Sequence, residues 1–241
     1  MKILVLGDIH GRPSWEDIVK DEKPDLTIFL GDYVSSHGEN TTDEQITAVT
    51  KILDYKKANP DKVIMLRGNH DMQHVYPEIF KMSGFNRQVA EYMKEIKSDF
   101  IKYTQWCYID DENHIIYSHA GVSQDWIDYF NIIDIHNINS LEPQYFDFNP
   151  GDNLYDYCGE SVTQTPIWIR PNVLYMCYIT GYKQVVGHTP MTEITNLAAL
   201  TKDCQTDIWL CDTELKQYLV IDNNKFIIKN NKFLDKTIVN N

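Results

Sequence analysis

The chain has 241 residues, with 22 Lys and Arg against 35 Asp and Glu and a formal net charge of -13. That length buries one sizeable core, and the acidic balance forfeits the counterion release that drives binding to long DNA or RNA, so a long nucleic acid is excluded as partner. The apolar run at the start is too short for a signal peptide or membrane span, and five cysteines without a Cys-x-x-Cys pair fit reduced thiols in the cytoplasm better than a secreted disulfide framework.

Taken in chain order, residues 4–6, 26–30 and 63–66 are apolar runs that predict buried strands. Between them, 14–20 predicts a short helix, with Ser14 and Asp17 at capping-box spacing. The stretch 42–59 predicts a longer one, with Ile46, Val49, Ile52 and Leu53 at helical spacing and Asn59-Pro60 as its stop. Alternating strands and helices imply βαβ units and a mostly parallel sheet. A helix is expected over 86–103, then a hairpin-like pair at 106–109 and 115–117, and a short helix over 124–130. Residues 131–165 lose periodicity and are rich in aromatics (Tyr145, Phe146, Phe148, Tyr155, Tyr157). A long irregular segment of this kind is expected to be a lid over the site, with its aromatics read first as packing anchors. Val185 and Val186 mark a further strand. Residues 207–212, 217–222 and 225–229 read as three more, with Asn223-Asn224 as a turn, and 232–241 is expected to fray. No linker or internal repeat divides the chain, so one domain over 1–241 is expected.

Five polar clusters fall just past predicted strand ends: Asp8-Ile9-His10-Gly11, Gly31-Asp32, Gly68-Asn69-His70-Asp71, Ser118-His119-Ala120-Gly121 and Gly187-His188-Thr189. In open α/β sheets ligands bind beyond the carboxyl ends of the strands, so the five converge. Singly, each is a common pattern. Together they offer Asp, Asn and His donors without thiolate, a set suited to manganese, iron or zinc, and two such ions activate a water and neutralise a phosphoryl group.

In these motifs the chain resembles the calcineurin-like metallophosphoesterases, specifically the phosphoprotein phosphatase branch that includes serine/threonine phosphatases and bacterial diadenosine tetraphosphatases. The resemblance covers most of the chain and implies an α/β fold, a four-layer α/β/β/α sandwich of two mixed sheets, with the C-terminal strands in the second sheet. It makes Asp8 and His10 ligands of one divalent ion, Asn69, His119 and His188 ligands of the other, and Asp32 the bridge, with manganese the first choice of metal and iron or zinc the others. It further implies a hydroxide shared by the two ions as nucleophile and His70 as general acid. The implied substrate is a phosphomonoester on a protein or a small compound; dinucleoside polyphosphate hydrolysis and a metal-binding scaffold without turnover are the alternatives.

The chain departs from the branch at Gly31-Asp32-Tyr33-Val34-Ser35-Ser36-His37-Gly38, where Ser35 and Ser36 replace an Asp that orients the acid and an Arg that grips phosphate. Asp71 is a candidate substitute for the carboxylate and His37 for the Arg. Pro190 stands where the nuclease and cyclic-nucleotide branches have a second His, which leaves an open position at the first ion. Trp168-Ile169-Arg170-Pro171 resembles a segment of bacterial members of the branch and makes Arg170 the first candidate for a phosphate clamp, with Arg12 a further substrate contact and Arg67 a structural residue.

Overall fold

The computed structural model describes residues 1–35, 40–148, 156–201 and 205–234. From the start of the chain, β1 (Lys2–Leu6), α1 (Trp15–Glu22), β2 (Leu26–Phe29), α2 (Thr42–Ala58) and β3 (Val63–Met65) form two βαβ units, and the three strands pair in parallel. Two short or amphipathic helices follow, α3 (Asn69–Val75) and α4 (Arg87–Tyr103), and then the hairpin of β4 (Cys107–Asp110) and β5 (Ile115–Ser118). The chain continues through α5 (Gln124–Tyr129), two 3-10 turns at Ile135–Ser140 and Pro143–Phe146, α6 (Pro171–Leu174), β6 (Lys183–Val186), β7 (Thr195–Asn196), α7 (Leu197–Leu200), β8 (Ile208–Leu210), β9 (Gln217–Asp222) and β10 (Lys225–Asn230).

Two five-stranded mixed sheets result, in the orders β10-β9-β1-β2-β3 and β4-β5-β6-β8-β7. Strand alternation sorts side chains into layers. In β1, Ile3 and Val5 meet Ile115, Tyr117 and Val185 in an apolar layer shared by the two sheets, whereas Leu4 and Leu6 face Ile18, Val49 and Ile52 of the helices outside. On the far side of the second sheet, Ile116 packs with Trp126 of α5, and Val186 and Leu210 pack with Val173 and Leu174 of α6. The expected four-layer α/β/β/α sandwich is therefore observed.

The C-terminal strands divide differently from expectation. Only β8 joins the second sheet; β9 and β10 extend the first, with β9 antiparallel to β1. The turn Asn223-Asn224 takes φ of 47° and 61°, the left-handed pair that a tight hairpin requires, and it folds β10 back onto β9 and not onto β8.

Local signals also resolve unevenly. At α2 the Thr41 hydroxyl accepts from Glu44 N at 3.2 Å while the Glu44 carboxylate accepts from Thr41 N at 2.7 Å, a complete capping box. At α1 the expected box does not form: Ser14 has helical φ and ψ and no capping bond, and its Oγ accepts from Asn231 Nδ2 at 3.1 Å. Within residues 131–148, Ile138, Phe146 and Phe148 are buried in the core. Phe146 stacks on Trp106 with ring centroids 3.7 Å apart, and Phe148 stacks on Trp168 at 4.3 Å. Residues 149–155 of the same segment, with Tyr155, and the terminal 235–241 lie outside the described residues. No helix among the described residues is long and apolar enough to cross a membrane.

Candidate metal centre

All six predicted ligand residues meet at the carboxyl ends of β1, β2, β3, β5 and β6. Asp8 follows β1 and Asp32 follows β2, and both are 1% exposed. Each carboxylate is held by one oxygen. Asp8 Oδ1 accepts from the backbone N–H of His188 at 3.0 Å, and Asp32 Oδ1 accepts from that of His70 at 2.9 Å, which leaves both Oδ2 atoms turned into the site.

Glycine makes the close approach available at two of these contacts. A Cβ on Gly187 would lie 2.2 Å from Asp8 Oδ1, and one on Gly68 would lie 2.1 Å from Asp32 Oδ1, so no side chain fits at either place. Three of the predicted ligands, His10, Asp32 and His188, also hold left-handed backbone with φ of 47°, 50° and 65°. Such conformations are costly for residues other than glycine and persist where the surroundings over-determine them, as at functional sites.

The imidazoles are oriented by main-chain oxygen, the usual support for a metal-binding His. His10 Nδ1 faces Val34 O at 3.1 Å and His119 Nδ1 faces Leu30 O at 2.9 Å, so the Nε2 atom of each is turned to the centre. His10 Nε2 lies 3.8 Å from Asp8 Oδ2 and 4.0 Å from Asp32 Oδ2, which groups three donors around one point. On the other side Asn69 Oδ1 lies 2.7 Å from His119 Nε2 and 3.0 Å from His188 Nδ1. Asp32 Oδ2 is also 3.5 Å from His119 Nε2 and so stands between the two groups.

This donor set fits divalent metal. Burial and the neighbouring Asp212 push the Asp8 carboxyl upward, while for Asp32 burial is outweighed by the rings of His119, His70 and His10, which hold it low. Burial, His119 and Arg170 push the His188 imidazole down, and its Nε2 is buried without a hydrogen-bond partner. Carboxylates and imidazoles buried this close together are expensive unless they coordinate metal.

Two site residues are absent from the sequence-based set. Asp212, 3% exposed, follows β8 as Asp8 follows β1, and its backbone passes so close to Gly7 that a Cβ there would lie 3.2 Å from Asp212 Cα. The same strand-end logic applied to the apolar run 208–211 finds it. Gln73, 1% exposed, places Nε2 3.1 Å from His70 Nδ1. Its signal is the i, i+3 spacing from His70 on one helical face.

The expected replacement of the missing carboxylate by Asp71 is not observed. Asp71 is fully buried, but its oxygens accept from the backbone N–H groups of Asp32 and Tyr33 at 2.8 Å and of Gly68 at 2.9 Å. It ties the turn after β2 to the turn after β3, thereby holding a ligand loop and leaving His70 to another partner. Ser35 is likewise structural: its N–H donates to Gln45 Oε1 at 2.7 Å and its Oγ to Gly84 O at 3.1 Å. Ser36 and His37 lie outside the described residues.

Among the arginines, Arg67 is a core tie. Its guanidinium donates to Thr104 Oγ1, Thr104 O and Ile101 O and lies 4.6 Å over the Trp106 ring. Arg12 is half-buried beside His10 and contributes to the field at Asp212 and Glu214. Arg170 reaches the centre: Nε donates to Cys158 O at 3.2 Å and Nη1 to Thr189 Oγ1 at 3.2 Å, next to His188, while Nη2 has no hydrogen-bond partner among the described residues.

The calcineurin-like phosphoesterase family profile matches residues 1–222, a span that contains every one of these groups. The chain belongs to the calcineurin-like phosphoesterase family. Among curated relatives, a serine/threonine-protein phosphatase of Caenorhabditis elegans is 32% identical over 105 residues, 41% of this chain and 21% of the relative. The serine/threonine-protein phosphatase PP1-delta of the same organism is 36% identical over 87 residues, 34% of this chain and 26% of the relative. The matched stretch thus spans about a quarter or less of either relative.

Solved structures share the calcineurin-like fold. A protein serine/threonine phosphatase from Saccharomyces cerevisiae superposes with TM-score 0.60 at 11% identity, covering 95% of this chain and 79% of that one. A cold-active protein-tyrosine phosphatase of a Shewanella species gives 0.58 at 16%, covering 95% and 77%.

Proposed function

We propose that this chain is a dinuclear, metal-dependent phosphatase that hydrolyses phosphomonoesters on proteins or small compounds. The observation that carries this reading is the pair of donor groups, Asp8 with His10 and Asn69 with His119 and His188, that share Asp32 between them. Divalent ions held there, manganese first and iron or zinc next, supply Lewis acidity toward phosphoryl oxygens and lower the proton affinity of water.

The protein's own part is to position. Asp8 and Asp32 present one oxygen each because the other is fixed by a backbone N–H. Arg170 offers Nη2 to a phosphoryl oxygen from the His188 side, where its two bonds to Cys158 and Thr189 hold the guanidinium plane. Arg12 supports the His10 side of the same cleft. His70, 8% exposed and edge-on to His10 at 5.5 Å, serves the departing oxygen as the general acid. The four cysteines among the described residues are free and three of them buried, which supports a reducing compartment such as the cytoplasm, and the charge of -13 disfavours long nucleic acid as substrate.

The test is a panel assay of the manganese-loaded protein with 4-nitrophenyl phosphate, phosphopeptides and diadenosine tetraphosphate, beside Asp8→Asn and His119→Ala. Hydrolysis of a monoester that both substitutions abolish, with less bound metal, is expected. Cleavage of none of the panel, or full turnover in either variant, overturns the proposal.

A further inference from the structure

Between α3 and α4, residues 76–86 fold back against the candidate metal centre. Asn69 Nδ2 donates to Met82 Sδ at 3.2 Å, Gln73 Nε2 to Ser83 O at 3.2 Å and Ser35 Oγ to Gly84 O at 3.1 Å. Met82 and Gln73 also line a cavity of about 250 Å³, with Pro77, Phe80, Lys81 and Phe85 as its other walls. Since Met82 touches Asn69 and Gln73 Nε2 lies 3.1 Å from His70 Nδ1, this cavity begins one side chain away from the centre, on the side of His70.

A second cavity, of about 420 Å³, continues from the first. The two share Pro77, and the His74 ring in the wall of the second stacks on Phe85 of the first with centroids 5.2 Å apart. Phe85 is 50% exposed and gives the pair an apolar surface open to solvent.

Charge decides what fits there. The whole chain carries -13, yet these walls hold four cations, Lys81, Arg87, Lys94 and Lys97, against two carboxylates, Glu78 and Glu91. Arg87 is paired with Glu91 at 3.1 Å, and Lys97 Nζ donates to Val75 O at 3.0 Å while lying 3.5 Å over the Tyr76 ring. Lys81 and Lys94 are exposed and make no hydrogen bond or ion pair among the described residues, so they outnumber the one unpaired carboxylate, Glu78. Exposed charges are screened over about 8 Å at physiological salt, and a ligand in these cavities therefore meets the local lysines instead of the net charge of the chain.

Resting on the function proposed above, we infer that the two cavities receive the polypeptide that bears the phosphate, and that Lys81 and Lys94 select phosphoprotein segments rich in Asp and Glu. His70 attends the departing oxygen in that function, so the group attached to this oxygen extends toward Gln73 and Met82. A small monoester held at the centre would leave both cavities unfilled, whereas a peptide chain reaches across them. Unpaired cations beside an apolar surface favour an acidic segment and reject a basic one.

The experiment uses phosphoserine and phosphotyrosine peptides, each in a form flanked by Glu and a form flanked by Lys, at about 0.15 M salt. Manganese-loaded wild type is expected to favour the Glu form of whichever peptide it cleaves by about tenfold in kcat/KM, mostly through KM. The double variant Lys81→Glu, Lys94→Glu is expected to favour the Lys form, with bound metal and turnover of 4-nitrophenyl phosphate as in wild type. The net charge of -13 alone predicts the opposite order in wild type. Preference for the Lys form or none in wild type, an unchanged preference in the variant, or turnover of 4-nitrophenyl phosphate without cleavage of any peptide overturns the inference. The wild-type order decides even where the variant loses its fold. Cleavage of no phosphate ester overturns the proposed function instead, and fluorescence anisotropy of the same labelled peptides then decides the cavities separately: tighter binding of the Glu form to wild type supports them, and equal or weaker binding overturns them.

Discussion

The backbone N–H of His188 donates to Asp8 Oδ1 at 3.0 Å, a bond between residues 180 positions apart that ties the end of β6 to the end of β1. It depends on Gly187, since a Cβ there would lie 2.2 Å from that same oxygen. Gly187→Ala is therefore expected to displace the Asp8 carboxylate and weaken metal binding about 10- to 100-fold, the cost typical of losing support around a ligand. Metal titration followed by elemental analysis checks it; unchanged affinity removes this contact from the account.

Asp71 offers a test of the scaffold apart from the chemistry. Asp71→Ala would leave the buried N–H groups of Asp32, Tyr33 and Gly68 without their acceptor, at about 1 to 3 kcal/mol for each unsatisfied group. A loss of at least about 3 kcal/mol in urea unfolding is expected. A loss under about 1 kcal/mol would mean that the turn finds other partners.

Far from the site, Glu22 carries a pH-dependent part of the stability. Burial pushes its carboxyl up, but hydrogen bonds from Lys2, Lys229 and Tyr218 outweigh that and lower it from 4.5 to about 2. A folded value below the unfolded one means that the stabilisation is fully present above pH 4.5 and disappears as pH falls toward 2. With the two lysines partly in solvent, about 2 kcal/mol is a fair size after screening. The stability difference between wild type and Glu22→Gln, measured by urea unfolding, should be largest near pH 7 and shrink below pH 4.5. A difference that does not change with pH would contradict this linkage.

Arg170 separates binding from structure. Arg170→Ala should raise KM for a phosphomonoester about tenfold or more while bound metal stays the same, since a charge-assisted contact to phosphate is worth about 1.5 to 3 kcal/mol. A lower Tm with unchanged KM would assign it to holding Cys158 and Thr189 alone.

Strand ends were the legible part of this molecule. Apolar runs that finish in Asp8, Asp32, Asn69, His119 and His188 announce both the sheets and the cluster of candidate ligands, because period and punctuation lie in contiguous residues. What stayed hidden depends on contacts between distant residues. Nothing local tells β9 and β10 to extend the first sheet, since an antiparallel hairpin pairs equally well with either edge and burial beside β1 decides. Ser14 carries a capping signal, yet Asn231, 217 positions away, uses its hydroxyl. Asp71 sits one residue after His70 and reads as its partner, but on a helix adjacent residues point apart and i, i+3 neighbours meet, so Gln73 takes that place.

The most direct test of the central claim is a crystal structure of the manganese-soaked protein with anomalous scattering measured at the manganese edge. Two anomalous peaks are predicted, one among Asp8, His10 and Asp32 and one among Asp32, Asn69, His119 and His188, with Asp32 touching both. A single peak, or peaks held by other side chains while these six stand apart, would contradict the account.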